Sequence, residues 1–135
     1  MSEKLSITTK QRCELVDITE TLDRLLAESG RCWKNGFLVV FSPHTTCGVT
    51  VNEGYDPDVR SDMVRFLKKL VPCNWGFDHA EGNSDAHLKT AFFGVTAMIP
   101  VSESRLDLGQ WQRVYLCECD GPRRRTLDIR FIRAE

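Results

Sequence analysis

The sequence predicts a single α+β domain, largely antiparallel β-sheet in a sandwich, with two main helices and one short helix. Three observations carry this. Short runs of apolar or alternating residues, each of strand length, recur from the first residues to the last. Two runs repeat apolar residues at helical spacing instead. Glycine, proline and short polar residues separate the runs, and no repeat, linker or low-complexity tract interrupts them. At 135 residues the chain has room for one core.

Lys4 to Thr9 and Gln11 to Ile18 favour extended structure and break at Lys10, as two edge strands or a hairpin. From Ile18 to Ala27, Ile18, Leu22, Leu25 and Leu26 make a helical stripe that Gly30 ends. Gly36 to Ser42, GFLVVFS, is almost wholly apolar and predicts a strand covered on both faces. Pro43-His44-Thr45-Thr46 interrupts it before a second strand, Cys47 to Asn52. The next helix has a capping residue in Asp56, proline at its first position and an acid, Asp58, at the positive end of its dipole. Its stripe is Val59, Met63, Phe66, Leu67 and Leu70, with Arg60, Arg65, Lys68 and Lys69 left to solvent, and Pro72 ends it. Ser84 caps a short helix from Asp85 to Phe93, closed by Gly94. Strands follow at Val95 to Val101, Trp111 to Cys119 and Thr126 to Ile132, the last two expected as an antiparallel pair.

Composition excludes several functions. A net charge of −1 gives no bulk attraction to nucleic acid or membrane, and no apolar run reaches the length of a membrane span. Six cysteines without a C-x-x-C pair, and an N-terminus without the apolar region of a signal peptide, point to free thiols and a cytoplasmic protein.

Asp78 to Lys89, DHAEGNSDAHLK, is too polar for a core and holds two of the three histidines, His79 and His87. On a helix beginning near Ser84, His87 falls in the first turn, beside unpaired backbone N–H groups that favour an anion. Together with His44, from a strand end, these imidazoles suit an open three-ligand metal site. The plainer alternative is a set of structural hydrogen-bonders, since the spacing is no signature. Glu81 and Asp85 are candidates for orienting a ligand or acting as acid and base, or else belong to a solvated loop and cap. Lys89 suits a phosphate, and Arg123-Arg124-Arg125 suits a phosphate or carboxylate, a hairpin tip or a subunit contact. Asn52 and Glu53 end the strand after His44 and are candidates for the same cavity; Trp111 offers a stacking face.

Across nearly the whole chain, His44-Thr45-Thr46, Asn52-Glu53 with Asp56-Pro57, Glu81-Gly82-Asn83 through Ala86-His87-Leu88-Lys89, Ile99-Pro100, Leu108-Gly109 with Trp111-Gln112, and Asp120 through Arg125 resemble the YjbQ family in the same order. The resemblance implies a compact α+β fold, a homotrimer and a histidine-lined site for a divalent metal, zinc foremost, held by His44, His79 and His87. It implies Glu81, Asp85 and Lys89 as catalytic candidates. Thr45, Thr46, Asn52, Glu53, Trp111, Gln112, Arg123, Arg124 and Arg125 become candidates for binding a small phosphorylated metabolite. The family is named for a secondary thiamine-phosphate synthase activity, joining a pyrimidine diphosphate to a thiazole phosphate. A metal-dependent hydrolase of a small ester or phosphorylated metabolite, and a non-catalytic trimeric metal- or metabolite-binding module, are the alternatives. Three departures stand out: Gly109-Gln110-Trp111-Gln112 where many members read Gly-Thr-Trp-Gln, Cys47 in place of the small residue common after the two hydroxyls, and an acidic segment before His87, around Asp85, shorter than in some members.

Overall fold

The computed structural model describes residues 2–134. In chain order the elements are β1 (Ser2–Thr8), β2 (Glu14–Asp17), α1 (Thr19–Glu28), β3 (Asn35–Phe41), β4 (Cys47–Glu53), α2 (Pro57–Leu70), α3 (Ser84–Phe93), β5 (Thr96–Ser102), β6 (Arg105–Leu106), β7 (Gln112–Glu118) and β8 (Arg124–Arg133). A five-stranded sheet has the order β1-β8-β3-β5-β6 and a three-stranded sheet the order β2-β7-β4. Every pairing is antiparallel. The α+β sandwich expected from the sequence is therefore the fold observed.

The core lies between the sheets. Leu38, Val40, Ile99, Leu127 and Ile129 project from the larger sheet toward Cys47, Val49, Val114 and Leu116 of the smaller, and Ile18, Leu22 and Leu26 close one side from the α1 segment. A second cluster, Leu15, Tyr115 and Cys117, lies on the opposite face of the smaller sheet beneath Met63, Val64 and Phe93 of α2 and α3. The layers thus run from helices α2 and α3 through the three-stranded sheet to the five-stranded sheet.

Four expectations are corrected by this arrangement. The strand containing GFLVVFS is covered on one face only: Leu38 and Val40 are sealed, while Phe37 and Phe41 remain 37% and 40% exposed. The strands expected as a final antiparallel pair lie in different sheets, because β7 pairs with β2 and β4 whereas β8 pairs with β1 and β3. Local alternation reports a face, not a partner. The helix α2 seals none of its stripe: Val59, Met63 and Leu67 are half-buried together with Val64, while Phe66 and Leu70 stay exposed. Arg60, expected in solvent, donates to the Leu15 carbonyl and lies over the Tyr115 ring, 5.2 Å from its centroid. Ser84 is the first residue of α3 rather than its cap, the preceding Asn83 side chain being directed to Asp120 Oδ2 at 2.9 Å. The predicted cap of α2 is present, with Asp56 Oδ1 accepting from the Asp58 N–H at 2.9 Å. The first two strands are edges, β1 of one sheet and β2 of the other, and do not form a hairpin.

A close approach positions α3. The backbone of Gly94 accepts from Val49 N at 3.0 Å, and a side chain at Gly48 would meet the Gly94 carbonyl oxygen at 2.5 Å. Glycine in β4 therefore lets the end of α3 press against the strand that follows His44.

Candidate functional site

Two loops and a helix start bring the histidines to one end of the sandwich. His44 lies in the connection between β3 and β4, His87 in the first turn of α3, and His79 in the loop before that helix. His44, Thr45 and His87 line an open depression of about 510 Å³ with Phe41, Thr90 and Ala91 among its walls. The rings of His79 and His87 meet edge to face, with centroids 5.6 Å apart. Glu81 Oε2 stands 3.8 Å from His79 Nε2.

The His44 ring is held by the backbone of β8. Its Nε2 lies 3.1 Å from both the carbonyl oxygen and the amide nitrogen of Thr126, so it donates to the one or accepts from the other according to tautomer. Burial, followed by the nearby Arg125 guanidinium, lowers its pKa below the ordinary imidazole value and favours the neutral ring. With Nε2 donating to the carbonyl, Nδ1 keeps the free lone pair, the arrangement by which a backbone carbonyl orients a metal-ligating imidazole.

Two charge clusters lie behind the histidines. In the first, Asp85 is fully buried and receives Arg12 Nη1 and Nη2 at 2.9 and 3.0 Å and Lys89 Nζ at 2.8 Å. Burial pushes this carboxyl up, but the hydrogen bonds from Arg12 and Lys89 outweigh it and hold the pKa at about 2. In the second, Arg125 donates through Nε to Glu118 Oε2 at 2.9 Å and through Nη2 to the Thr46 hydroxyl at 2.8 Å, and Thr9 Oγ1 donates to Glu118 Oε2 at 2.8 Å. Burial raises the Glu118 pKa, yet Arg125, the Asp120 N–H and Thr9 bring it below the ordinary value. Arg125 thus ties down Thr46 while the backbone of its neighbour Thr126 holds His44.

In the arginine turn, strand alternation separates Arg124 from Arg125, and Arg123 precedes the strand. Arg125 points inward, whereas Arg123 reaches Asp120 Oδ2 at 3.0 Å and Arg124 reaches Ser6 Oγ at 3.3 Å, both near solvent. Lys89 is buried and engaged by Asp85 rather than exposed. The cysteines offer no ready thiolate in the core: burial pushes Cys47 up to about 12 and Cys119 up to about 11.

The remaining candidates gather elsewhere. Asn52 and Glu53 end β4 opposite to the His44 end, and six residue steps of ~3.3 Å place those ends ~20 Å apart. Trp111 and Gln112 join them there. Trp111, 51% exposed, meets the exposed Tyr55 edge to face at 4.8 Å, and Gln112 Oε1 accepts from the Gly109 N–H at 2.8 Å. One chain therefore carries two poles, one with the histidines and one with the exposed aromatics.

Sequence reasoning missed Arg12, Asn83 and Glu118 as supports and Tyr55 as the neighbour of Trp111. Arg12 lies 73 positions from Asp85, and no local pattern signals such a pair. Glu118 lies on the alternating strand β7, where a charged residue facing inward among Leu116 and Val114 was a readable sign of a buried partner.

Among the described residues, no three His, Cys, Asp or Glu side chains converge closely enough to hold a metal ion. The donor chemistry nevertheless fits a borderline ion such as zinc. His44 is biased to the neutral form, and His79 and His87 are already adjacent.

Comparison with known proteins places the whole chain in one group. The family model YjbQ, described as UPF0047 protein YjbQ-like, matches residues 3–134. A UPF0047 protein of Methanocaldococcus jannaschii is 44% identical over 96% of this chain and 92% of its own length. The UPF0047 protein YugU of Bacillus subtilis is 41% identical over 98% and 99%. A crystal structure of an uncharacterised conserved YjbQ/UPF0047 protein from Clostridium acetobutylicum superposes with a TM-score of 0.90 at 39% identity, covering 96% of this chain and 99% of that one. A hypothetical protein from Aeropyrum pernix K1 gives 0.90 at 34% identity, covering 99% of each chain.

Proposed function

The chain belongs to the YjbQ (UPF0047) family, and on that premise we propose that it is a metal-dependent enzyme acting on a small phosphorylated metabolite at the depression between His44 and His87. The observation that carries this is the shared wall formed by His44 and His87, with His79 against His87. His44, His79 and His87 would hold the ion, zinc foremost, which when bound supplies Lewis-acid polarisation of a phosphate oxygen or acidifies a water. The thiamine-phosphate synthase-type transfer implied by the family is the specific reaction proposed. Assembly as a homotrimer and residence in the cytoplasm belong to the same proposal. Among the described residues, no helix is long and apolar enough to cross a membrane.

The chain's own groups divide the work. Thr126 orients His44, and Glu81 orients His79 or accepts a proton from a reacting hydroxyl or water beside it. Arg123, half exposed and steered by Asp120, is placed to receive phosphate. Arg125 and Lys89 act as positioning residues, because both are engaged by buried carboxylates.

That engagement favours hydrolysis as the second reading. Transfer from a diphosphate needs cations for the leaving group, and with Lys89 and Arg125 held by buried carboxylates the arginine turn offers Arg123, itself shared with Asp120, and Arg124. The test is direct. The metal-loaded chain is assayed for thiamine phosphate formation and against a panel of phosphorylated and ester substrates. Turnover of the two synthase substrates that falls at least ~100-fold in His87→Ala supports transfer. Turnover confined to the panel supports hydrolysis. No turnover, with metal content unchanged in His79→Ala and His87→Ala, removes the proposal.

A further inference from the structure

Two of the six cysteines face each other from different strands. The ladder between β2 and β7 runs from Asp17↔Tyr115 to Glu14↔Glu118, and one step further brings Cys13 opposite Cys119. Alternation puts both on the helix-facing side of the smaller sheet, with Leu15, Tyr115 and Cys117. The Cys119 N–H donates to the Thr46 carbonyl at 3.1 Å, on the β4 side, so toward Cys13 its position is a non-hydrogen-bonded one. Facing residues at such positions lie ~4.5 Å apart at Cα, inside the ~4.4–6.8 Å that a disulfide spans. The pair is already in contact: Cys13 Sγ lies 3.7 Å from the Cys119 carbonyl oxygen.

The surroundings of the two sulfurs differ. Cys13 and Cys119 both line an inner cavity of about 10 Å³, walled by Leu67, Phe93 and Lys89, which is about the room of one water. Cys13 also lines an open depression of about 360 Å³ between β2 and α2, beside Pro57 and Arg60. Cys13 is 9% exposed and Cys119 2%, so solvent reaches Cys13 first. Lys89 Nζ lies 3.9 Å from Cys13 Sγ while donating to Asp85 Oδ2 at 2.8 Å. An ammonium has three donors, so a further N–H is available to an oxygen leaving from that sulfur. Of the remaining cysteines, Cys47 and Cys117 are sealed, and Cys32 and Cys73 are exposed.

We propose that Cys13 and Cys119 form a dithiol site oxidised by a small hydroperoxide, Cys13 reacting from the open depression and Cys119 resolving it to a disulfide.

In the first step the Cys13 sulfur attacks the outer peroxide oxygen. An S–O bond forms, the O–O bond breaks, and the leaving oxygen, beside the Lys89 ammonium, takes up the thiol proton as water or alcohol. Cys13 is then a sulfenic acid. In the second step the Cys119 sulfur attacks the Cys13 sulfur; the S–S bond forms, the S–O bond breaks, and hydroxide leaves with the Cys119 proton as water. The thiols give up two electrons and the peroxide gains them. Burial, which pushes Cys119 up to about 11, suits it to the second role, since a thiol held protonated is a poor first nucleophile.

The test uses the full chain carrying Cys32→Ser and Cys73→Ser, which removes the exposed thiols. The reduced chain is treated with hydrogen peroxide and mapped by mass spectrometry without reductant. The expected result is a Cys13–Cys119 linked peptide, two thiols fewer per chain by titration in denaturant, and recovery of both with dithiothreitol. Adding Cys119→Ala should stop the chemistry at the sulfenic acid, raising dimedone labelling of Cys13 about tenfold or more over the parent. Adding Cys13→Ser should leave Cys119 reduced. Cys13 left reduced, Cys13 oxidised without a link to Cys119, or Cys119 oxidised equally in Cys13→Ser each overturn the proposal. Circular dichroism checks that each variant is folded. If Cys119→Ala does not fold, the peptide map of the parent chain decides.

Discussion

Leu116 and Met98 stand on strands of similar apolar character, yet Leu116 is fully sealed and Met98 is 62% exposed. The difference belongs to the sheets that carry them. The smaller sheet has the core on one side and α2 with α3 on the other, so both faces of β7 are buried. The larger sheet has the same core on its inner side and, among the described residues, no helix over its outer face. Polarity in the sequence ran the other way, with β3 nearly all apolar and β7 carrying Glu118. Charge enters the covered sheet only where a partner meets it: Glu118 is tolerated because Arg125 crosses from the other sheet. Apolar side chains such as Phe37, Met98 and Ile132 stay exposed on the outer face of the larger sheet.

The sharpest way to break this contrast is to remove the crossing pair. Glu118→Gln leaves the Arg125 guanidinium buried without a counter-charge and is expected to cost about 3–5 kcal/mol of unfolding free energy in urea titration. Loss below about 1 kcal/mol would mean that the pair contributes little to the folded chain. Packing comes next: Leu116→Ala should lose about 2–5 kcal/mol, whereas Met98→Ala, measured under conditions where the chain is monomeric, should stay within about 0.5 kcal/mol. Equal losses at the two positions would erase the distinction between the sheets.

A smaller, pH-dependent effect tests the charge cluster behind His87. The folded pKa of Asp85 is depressed to about 2 from 3.8, so its contribution is complete above pH 3.8 and is lost as pH falls through about 2. The stability gap between wild type and Asp85→Asn should therefore be constant from pH 6 to about pH 4 and close toward pH 2. A gap independent of pH would show that Asp85 acts through packing alone.

Much of the fold was legible because local physics decides it. Asp56-Pro57-Asp58 marks the start of α2 by capping and fixed φ, and the apolar spacing from Ile18 to Leu26 marks α1. His87 in the first turn of α3 follows from Gly94 at its end and polar residues at its start. The partners of β7 and β8 were not legible, since alternation names the buried face and not the neighbouring strand. Of the candidate site, the sequence could group His79, Glu81 and His87 because they are near one another in the chain. It could not show that Arg125 turns inward while Arg123 stays outside, that Lys89 is engaged by Asp85, or that Trp111 and Glu53 occupy the opposite pole.

The sequence by itself determined the elements, their class and their order, together with the residue types available for chemistry, because caps, turn residues and periodicity act over a few positions. Only the tertiary structure decided which sheet is covered, which charges are paired and which histidines share a wall. Those outcomes depend on contacts between residues far apart in the chain, such as Thr9 and Arg123, 114 positions from one another.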